Sequence, residues 1–300
     1  MSIIDKSGQH VGDNSSAIQV AGNATIGNST SEVIEICKLV VMDKFSTLRE
    51  DAMNVAMQRA QEFAVNITER LTSELDGRIE KKLKEPDLQF AISEATTIVA
   101  KKGDKTKSEL LQEIIVSKIH NENEDIDLLL DHALEITKRL TTSEIKLLAF
   151  IYYLRRITVS MGNMPVQNII NDYKNNIIHP TVTLEECYSL SRQRLQIDYP
   201  LLKKIIVELS NITPINLSHL EIKGCLYNGK SYKQNILDII STSSDLTIDS
   251  DELLFTTFPD FKKIINAFGI NSSSQLDEII PNELGNIIAK NFINAQGGLN

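Results

Sequence analysis

Between Ser31 and Glu85 the chain has no proline and a single glycine, and its apolar residues recur at helical spacing, from Val33, Cys37 and Val41 at one end to Phe63, Ile67 and Leu71 towards the other. The pattern predicts one long helix over 32–85, or two collinear helices meeting near Gly77. At ~1.5 Å per residue an unbroken helix would extend roughly 80 Å, longer than a compact domain of this size covers. Part of it is therefore expected to pack on a second chain, with Phe63, Ile67 and Leu71 as contact residues. Between Phe63 and Leu83 the apolar positions advance by four, and each step overshoots a turn by ~40°, so the stripe winds round the helix instead of forming a heptad seam. The same winding fits a helix whose segments face different neighbours inside one domain.

Helical patterns continue beyond Pro86. "PDLQFAISEATTIVAKKG" opens with proline in its first turn and stops at Gly103. "SELLQEIIVSKI", "DIDLLLDHALEITKRL" and "TTSEIKLLAFIYYLRRI" follow, the last opened by a capping box from Thr141 to Glu144. Weaker segments include "PVQNIINDYKNNI", "YPLLKKIIVELS", "YKQNILDII", "PDFKKIINAFG" and "PNELGNIIAKNFI", while "ISTSSDLTIDSDEL" reads as a loop. The expected fold class is mainly α: a β-hairpin arm over 1–31, a long helix over 32–85, a helical core over 86–162 and a C-terminal helical subdomain over 163–300. The break near Gly162 to Pro165 marks the boundary between the last two. Three hundred residues with 42% hydrophobic content suffice for such a body.

The arm differs from everything after it. In "GDNSSAIQVAGNATIGNS", Ile18 and Val20, then Ile26, alternate with polar residues, while Gly12, Asn14, Gly22, Asn23 and Gly27 supply turn chemistry. An isolated hairpin of this length is marginal in water, so it needs a partner surface, and the simplest is the same arm of another subunit. The alternative is a polar leader without a fixed partner. "IQVAGN" is also similar to the core of the RHIM class of stacking motifs, with Ala21 standing before Gly22.

A formal charge of -9 opposes binding to a phosphate backbone, and no tryptophan with 5% aromatic residues leaves no platform for stacking bases. Nucleic acid is not an expected partner. Arg155 and Arg156, with Arg192 and Arg194, are candidates for an anionic partner, against the plainer role of offsetting helix dipoles. The longest apolar run, "LLAFIYYL", is far short of the ~20 residues of a membrane-crossing helix, and the start lacks a basic-then-apolar leader. Cys37, Cys187 and Cys225 are odd in number and far apart, which fits a reducing compartment. Together these predict a cytoplasmic protein.

One stretch has a catalytic look. "GCLYNGKS" satisfies the phosphate-loop pattern, with Gly224 and Gly229 bounding the loop, Lys230 placed for phosphates and Ser231 for magnesium. Its context is wrong: a phosphate loop is entered from a buried strand, and "LSHLEIK" is short and polar. The alternative is a glycine-bounded turn. Two acidic segments, "NENEDIDLLLDH" and "DLTIDSDELLFT", lack the glycine and glutamate of a calcium loop. The five histidines show no zinc spacing. No metal and no cofactor is expected, and the patterns weigh towards a binding protein over an enzyme.

The set "GQHVGDNSSAIQVAGNATIG", "RAQEFAVNITERL", "EPDLQFAISEA", "ALEITKRLTTSEIKLLAFIY" and "PNELGNIIAKNFI" resembles an uncharacterised bacterial family known by locus-tag names. The order "HLEIKGCL" then "NELGNIIA" also resembles the C-terminal pattern of abortive-infection proteins of the alpha type, with Asn282-Glu283-Leu284-Gly285 in place of their Leu-Thr wording. That likeness implies a role in bacterial anti-phage defence or stress response. The expected function is a homo-oligomeric scaffold or sensor that binds itself and another protein. The competing readings are a nucleotide-dependent enzyme or switch at Gly224, Gly229, Lys230 and Ser231, and a membrane-disrupting effector.

Overall fold

A computed structural model describes residues 28–72, 77–156, 166–177, 181–195, 200–206, 209–227 and 235–298. The arm residues Gly12, Asn14, Ile18, Val20, Gly22, Asn23, Ile26 and Gly27 lie outside the described residues. The protein is mainly α-helical. Among the described residues there is no strand, and a lone antiparallel bridge joins Leu226 to Pro281.

The stretch expected as one helix over 32–85, or as two meeting near Gly77, holds three helices, α1 (Asn28–Lys44), α2 (Glu50–Thr72) and α3 (Gly77–Leu83), so a helix does begin at Gly77 while the break after Lys44 was not expected. The chain turns at 45–49, where Phe45 N–H donates to Val41 O and Leu48 N–H to Phe45 O. Ser46 and Thr47 are indifferent helix formers, and Glu50 with Asp51 favours a new N-terminus through the helix dipole. α1 then packs on α2 and α4 (Pro86–Lys102). At the turn end, Val41 and Phe45 are buried with the small residues Ala56, Ala60 and Ala100. Alanine removes the side-chain bulk that would hold the backbones apart.

This turn also corrects the expectation for Phe63, Ile67 and Leu71. They are only 1%, 0% and 3% exposed, buried in the chain's own core, and leave no surface for a second chain. The stripe winds because α2 meets α1, α4 and α5 (Lys105–His120) in turn.

Helix α4 begins with Pro86 and ends at Gly103, as its sequence predicts. α5 is capped by the Asp104 side chain, which accepts from Thr106 N–H at 2.9 Å. α6 (Glu124–Thr137) is capped by Asn123 and has Glu124, Asp125 and Asp127 in its first turn, so the acids of "NENEDIDLLLDH" serve a helix start. α7 (Thr142–Arg156) is buried from Ser143 to Leu154 with only Tyr152 half-buried, as "LLAFIYYL" dictates for a helix apolar nearly all round.

The second half contributes α8 (Val166–Lys174), α9 (Leu184–Leu195), α10 (Pro200–Ile206), α11 (Leu217–Ile222), α12 (Ile236–Ser244), α13 (Asp251–Thr257), α14 (Pro259–Ala267), α15 (Ser273–Asp277) and α16 (Glu283–Ala295). α9, α13 and α15 are polar or short and carry too little periodicity to be read in advance. The expected loop over "ISTSSDLTIDSDEL" shrinks to 245–250 between α12 and α13, with Leu246 and Ile248 buried.

The boundary expected at 162/163 does not divide the core. α16 packs against α5, α6 and α7, and its Ile288, Ala289, Phe292 and Ile293 join one continuous core that begins at Val33. The strongly patterned half is completed by a helix from the weakly patterned one. Among the described residues no helix is long and apolar enough to cross a membrane.

Candidate functional site

The phosphate-loop pattern begins at Gly224, and the structure makes that residue a helix stop. α11, capped by Asn216, enters it where a phosphate loop would have a strand. Cys225 N–H donates to Leu220 O at 3.1 Å while Gly224 has φ 71, the left-handed turn that closes a helix with a glycine after its last residue. Gly229, Lys230 and Ser231 lie outside the described residues. The next described helix, α12, starts only at Ile236, capped by Asn235.

The segments "HLEIKGCL" and "NELGNIIA" are brought together here. Asn282 accepts from Gly285 N–H at 3.0 Å as the cap of α16, and its amide donates to Gly224 O at 2.7 Å. Its own N–H donates to Cys225 O, and Tyr227 N–H donates to Ile280 O. Gly285 is fixed by close approach: a Cβ there would lie 2.2 Å from Cys225 O and 3.0 Å from Pro281 Cβ. Helix propensity alone would make Gly285→Ala a gain of up to ~1 kcal/mol. The contact with a backbone oxygen reverses the sign, and we expect a loss of about 1–3 kcal/mol, the range for overpacking. A urea midpoint equal to or above that of the wild type would refute this close approach.

Beneath the junction lies an ion pair with a buried carboxylate and a partly exposed ammonium. Thr141 and Glu144 form the expected capping box, with Thr141 N–H donating to Glu144 Oε2 at 2.7 Å and Glu144 N–H to Thr141 Oγ1 at 3.1 Å. The Glu144 carboxylate also takes Lys223 Nζ, the last side chain of the α11 turn, at 2.7 Å on both oxygens. Next to it, Ser143 Oγ accepts from Thr213 N–H at 2.9 Å. Lys107 lies in the same electrostatic neighbourhood and is buried. Burial, followed by the repulsion of Lys102, outweighs the attraction of Asp104 and Glu144 and holds its ammonium below the ordinary lysine range. Burial pushes the Cys225 thiol up to about 12 and the Cys37 thiol up to about 11, and it also raises Cys187. All three stay protonated at neutral pH, the form that is a poor nucleophile. The chemistry of this junction is adhesion: its charges tie α7 to α11, and Asn282 ties that turn to α16.

A second cluster lies where α4, α5 and α6 meet. Lys118, 2% exposed, places its Nζ 3.0 Å from Asp87, 2.8 Å from Asp127 and 2.8 Å from Asp131. The carboxylate oxygens lie within 4.8 Å of one another, a spacing that suits a cation, and the lysine ammonium stands among them as that cation. Burial by itself would lower the Lys118 pKa, but hydrogen bonds to Asp127, Asp131 and Asp87 raise it above the ordinary lysine value.

Among the described residues, grooves at the surface include two of similar size. One, about 520 Å³, runs between α4 and α6, with Asp87, Phe90 and Glu94 on one wall and Asp131, Glu135 and Lys138 on the other. The other, about 560 Å³, is lined by α12 and the loop after it, with Asp238, Asp245 and Asp249 on its wall. Its acids belong to "DLTIDSDELLFT" or the helix before it, and Asp245 is engaged structurally, accepting from Val166 N–H at 2.8 Å.

The other sequence candidates are dispersed. Arg155 donates to Leu276 O and Ile279 O at 3.2 and 3.3 Å and so holds the α15 end in place. The side chains of Arg192 and Arg194 lie outside the described residues. Reasoning from sequence missed the Lys118 cluster entirely, although Asp127 and Asp131 at helical spacing were a signal that one face of α6 is acidic.

A family model of uncharacterised proteins carrying locus-tag names matches residues 27–296. No curated protein and no solved structure matches the chain.

Proposed function

We propose, from the premise that this chain belongs to that uncharacterised family, that it is a homo-oligomeric binding protein that holds a second protein on an assembled scaffold. The observation that carries the reading is the run of exposed apolar side chains just after the arm. Leu39 and Met42 on α1 are 58% and 59% exposed, and Leu48 and Val55 follow in and after the turn. Single exposed apolar residues are ordinary on a protein surface. Four in one short stretch, adjoining an arm whose alternating sequence needs a partner, favour contact between copies of the chain.

Self-assembly through Ile18, Val20, Ile26 and the outer face of α1 replaces the contact first expected at Phe63, Ile67 and Leu71. Repetition of a weak partner site on such an assembly raises avidity without any new contact. The likeness of "HLEIKGCL" and "NELGNIIA" to abortive-infection proteins supports a role in bacterial defence or stress response.

Light scattering on the full chain and on a chain starting at Ser31 tests the assembly. The full chain is expected as a discrete oligomer and the shortened one as a smaller species. Monomers in both cases would overturn the proposal. Met42→Asp in the full chain should lower the mass as well, since a charge at the contact is left unpaired.

A further inference from the structure

We infer that the ammonium of Lys107, with those of Lys102 and Lys223, forms a binding site for a small phosphate-class anion at the end of the bundle where α5 and α7 begin. The inference goes beyond the binding reading above and does not depend on it.

Lysine is seldom buried without a partner. Among the described residues Lys107, Lys118 and Lys146 are buried, at 6%, 2% and 7% exposure. Lys118 has its three aspartates, and Lys146 Nζ donates to Ile206 O at 3.4 Å. The Lys107 ammonium has neither a hydrogen bond nor an ion pair among the described residues. Taking an ammonium out of water in this way is costly, and an anion that reaches it offsets the cost.

The charged groups around it are Lys102 in the last turn of α4, Asp104 at the cap of α5, Glu144 in the first turn of α7 and Lys223 after α11. Three ammonium groups and two carboxylates leave one positive charge. Both carboxylates are engaged inside the chain. Asp104 accepts from Thr106 N–H at 2.9 Å and from Thr142 Oγ1 at 2.5 Å, and Glu144 accepts from Thr141 N–H and Lys223. Lys102, by contrast, is exposed and has no ion pair among the described residues. The Thr142 bond also brings together the starts of α5 and α7, 16 and 15 residues long, whose positive ends favour an anion. At the negative end of α4, Arg59 donates to Ala100 O at 3.3 Å and offsets the opposing dipole.

Size and shape select the ligand. With Lys107 only 6% exposed, a duplex or a folded acidic partner cannot seat on its ammonium, and a small ion entering beside Lys102 can. A lysine head is a point charge without the planar fork that arginine offers to a carboxylate. Three such heads on separate elements suit a tetrahedral anion with an oxygen for each. Lys223 has three N–H donors, and its two contacts with Glu144 leave one for the ligand.

The test titrates the full chain with inorganic phosphate by calorimetry, with ionic strength held constant by chloride. Saturable binding is expected, weakened about tenfold or more by Lys107→Met and several-fold by Lys102→Gln. In phosphate-free urea Lys107→Met should unfold at a midpoint no lower than the wild type, because it removes a buried charge that lacks a partner. Lys230→Ala, in the phosphate-loop pattern, should bind phosphate as the wild type does. A glycerol phosphate arm separates a phosphate ester, bound tighter, from the free ion, and either result supports the site. A lowered midpoint for Lys107→Met would show that its ammonium is already satisfied within the chain and overturn the premise. No saturable binding, or wild-type binding by both lysine variants, would overturn the site. Acetate displacing phosphate at equal concentration would make the ligand a carboxylate, and loss of binding in Lys230→Ala would move the site to the phosphate-loop pattern. Each of these overturns the assignment.

Discussion

Lys118→Met is expected to cost about 3–5 kcal/mol of folding stability, the range for removing one member of a buried ion pair. The reason is what it leaves behind. Asp87, Asp127 and Asp131 converge on one ammonium that is 2% exposed, and without it three carboxylates face one another with no counter-charge. Their side chains keep 62%, 31% and 40% exposure, so water screens part of the repulsion and the low end of the range applies. Urea unfolding reads the change as a lower midpoint at constant slope. Adding Asp127→Asn and Asp131→Asn to Lys118→Met should return most of the loss. A loss below about 1 kcal/mol would show the cluster to be a surface ion pair in energetic terms.

The sign with pH follows from the raised pKa. A lysine whose folded pKa lies above its ordinary 10.5 contributes its full stabilisation below that value and loses it as pH rises through the folded pKa. Stability from this cluster is therefore flat across neutral pH on the lysine side and falls only in strong alkali. Thermal unfolding followed between pH 7 and 11 measures the onset.

Glu144→Gln is expected to cost about 3 kcal/mol, for a reason that separates its two roles. Glutamine can still accept from Thr141 N–H, so the capping box survives. The charge does not, and Lys223, held at 2.7 Å by both oxygens, becomes a cation without its partner. Lys107, held low by burial and nearby Lys102, loses one of the two carboxylates that favour its charged form. Lys223→Met in the Glu144→Gln background should recover part of the loss, with a coupling of about 1–3 kcal/mol in the double-mutant cycle. Strict additivity of the two substitutions would mean that the pair does not act as a unit.

How far these features were legible depended on the distance between partners. The start of α4 at Pro86, its stop at Gly103 and the Thr141–Glu144 box were readable because each is a local contest decided within a few residues. The turn at 45–49 was not, because it carries neither glycine nor proline, and what favours it is the closeness that Ala56, Ala60 and Ala100 allow after the chain has folded back. The second role of Glu144 needs Lys223, 79 residues away. Gly224 could be read as a turn in its own segment, yet the need for glycine at Gly285 depends on Cys225 O arriving from another part of the chain. The groove between α4 and α6 was not legible, because its two walls come together only when tertiary packing sets α4 beside α6. A helical stripe shows which face is wet, and no stripe shows what stands opposite.

The packing of α16 against α5, α6 and α7 has a consequence for synthesis. α5, α6 and α7 leave the ribosome before the helix they pack against, and the chain from Arg156 to Glu283 must still be made. At 5–20 residues per second that takes roughly ten seconds, far longer than the microseconds in which helices form and collapse. During that interval the seat for Ile288, Phe292 and Ile293 is an open apolar cleft on a nascent chain. The early helices must therefore wait in a half-built state, and a cell that makes this protein in quantity has to shield that cleft until the last helix arrives.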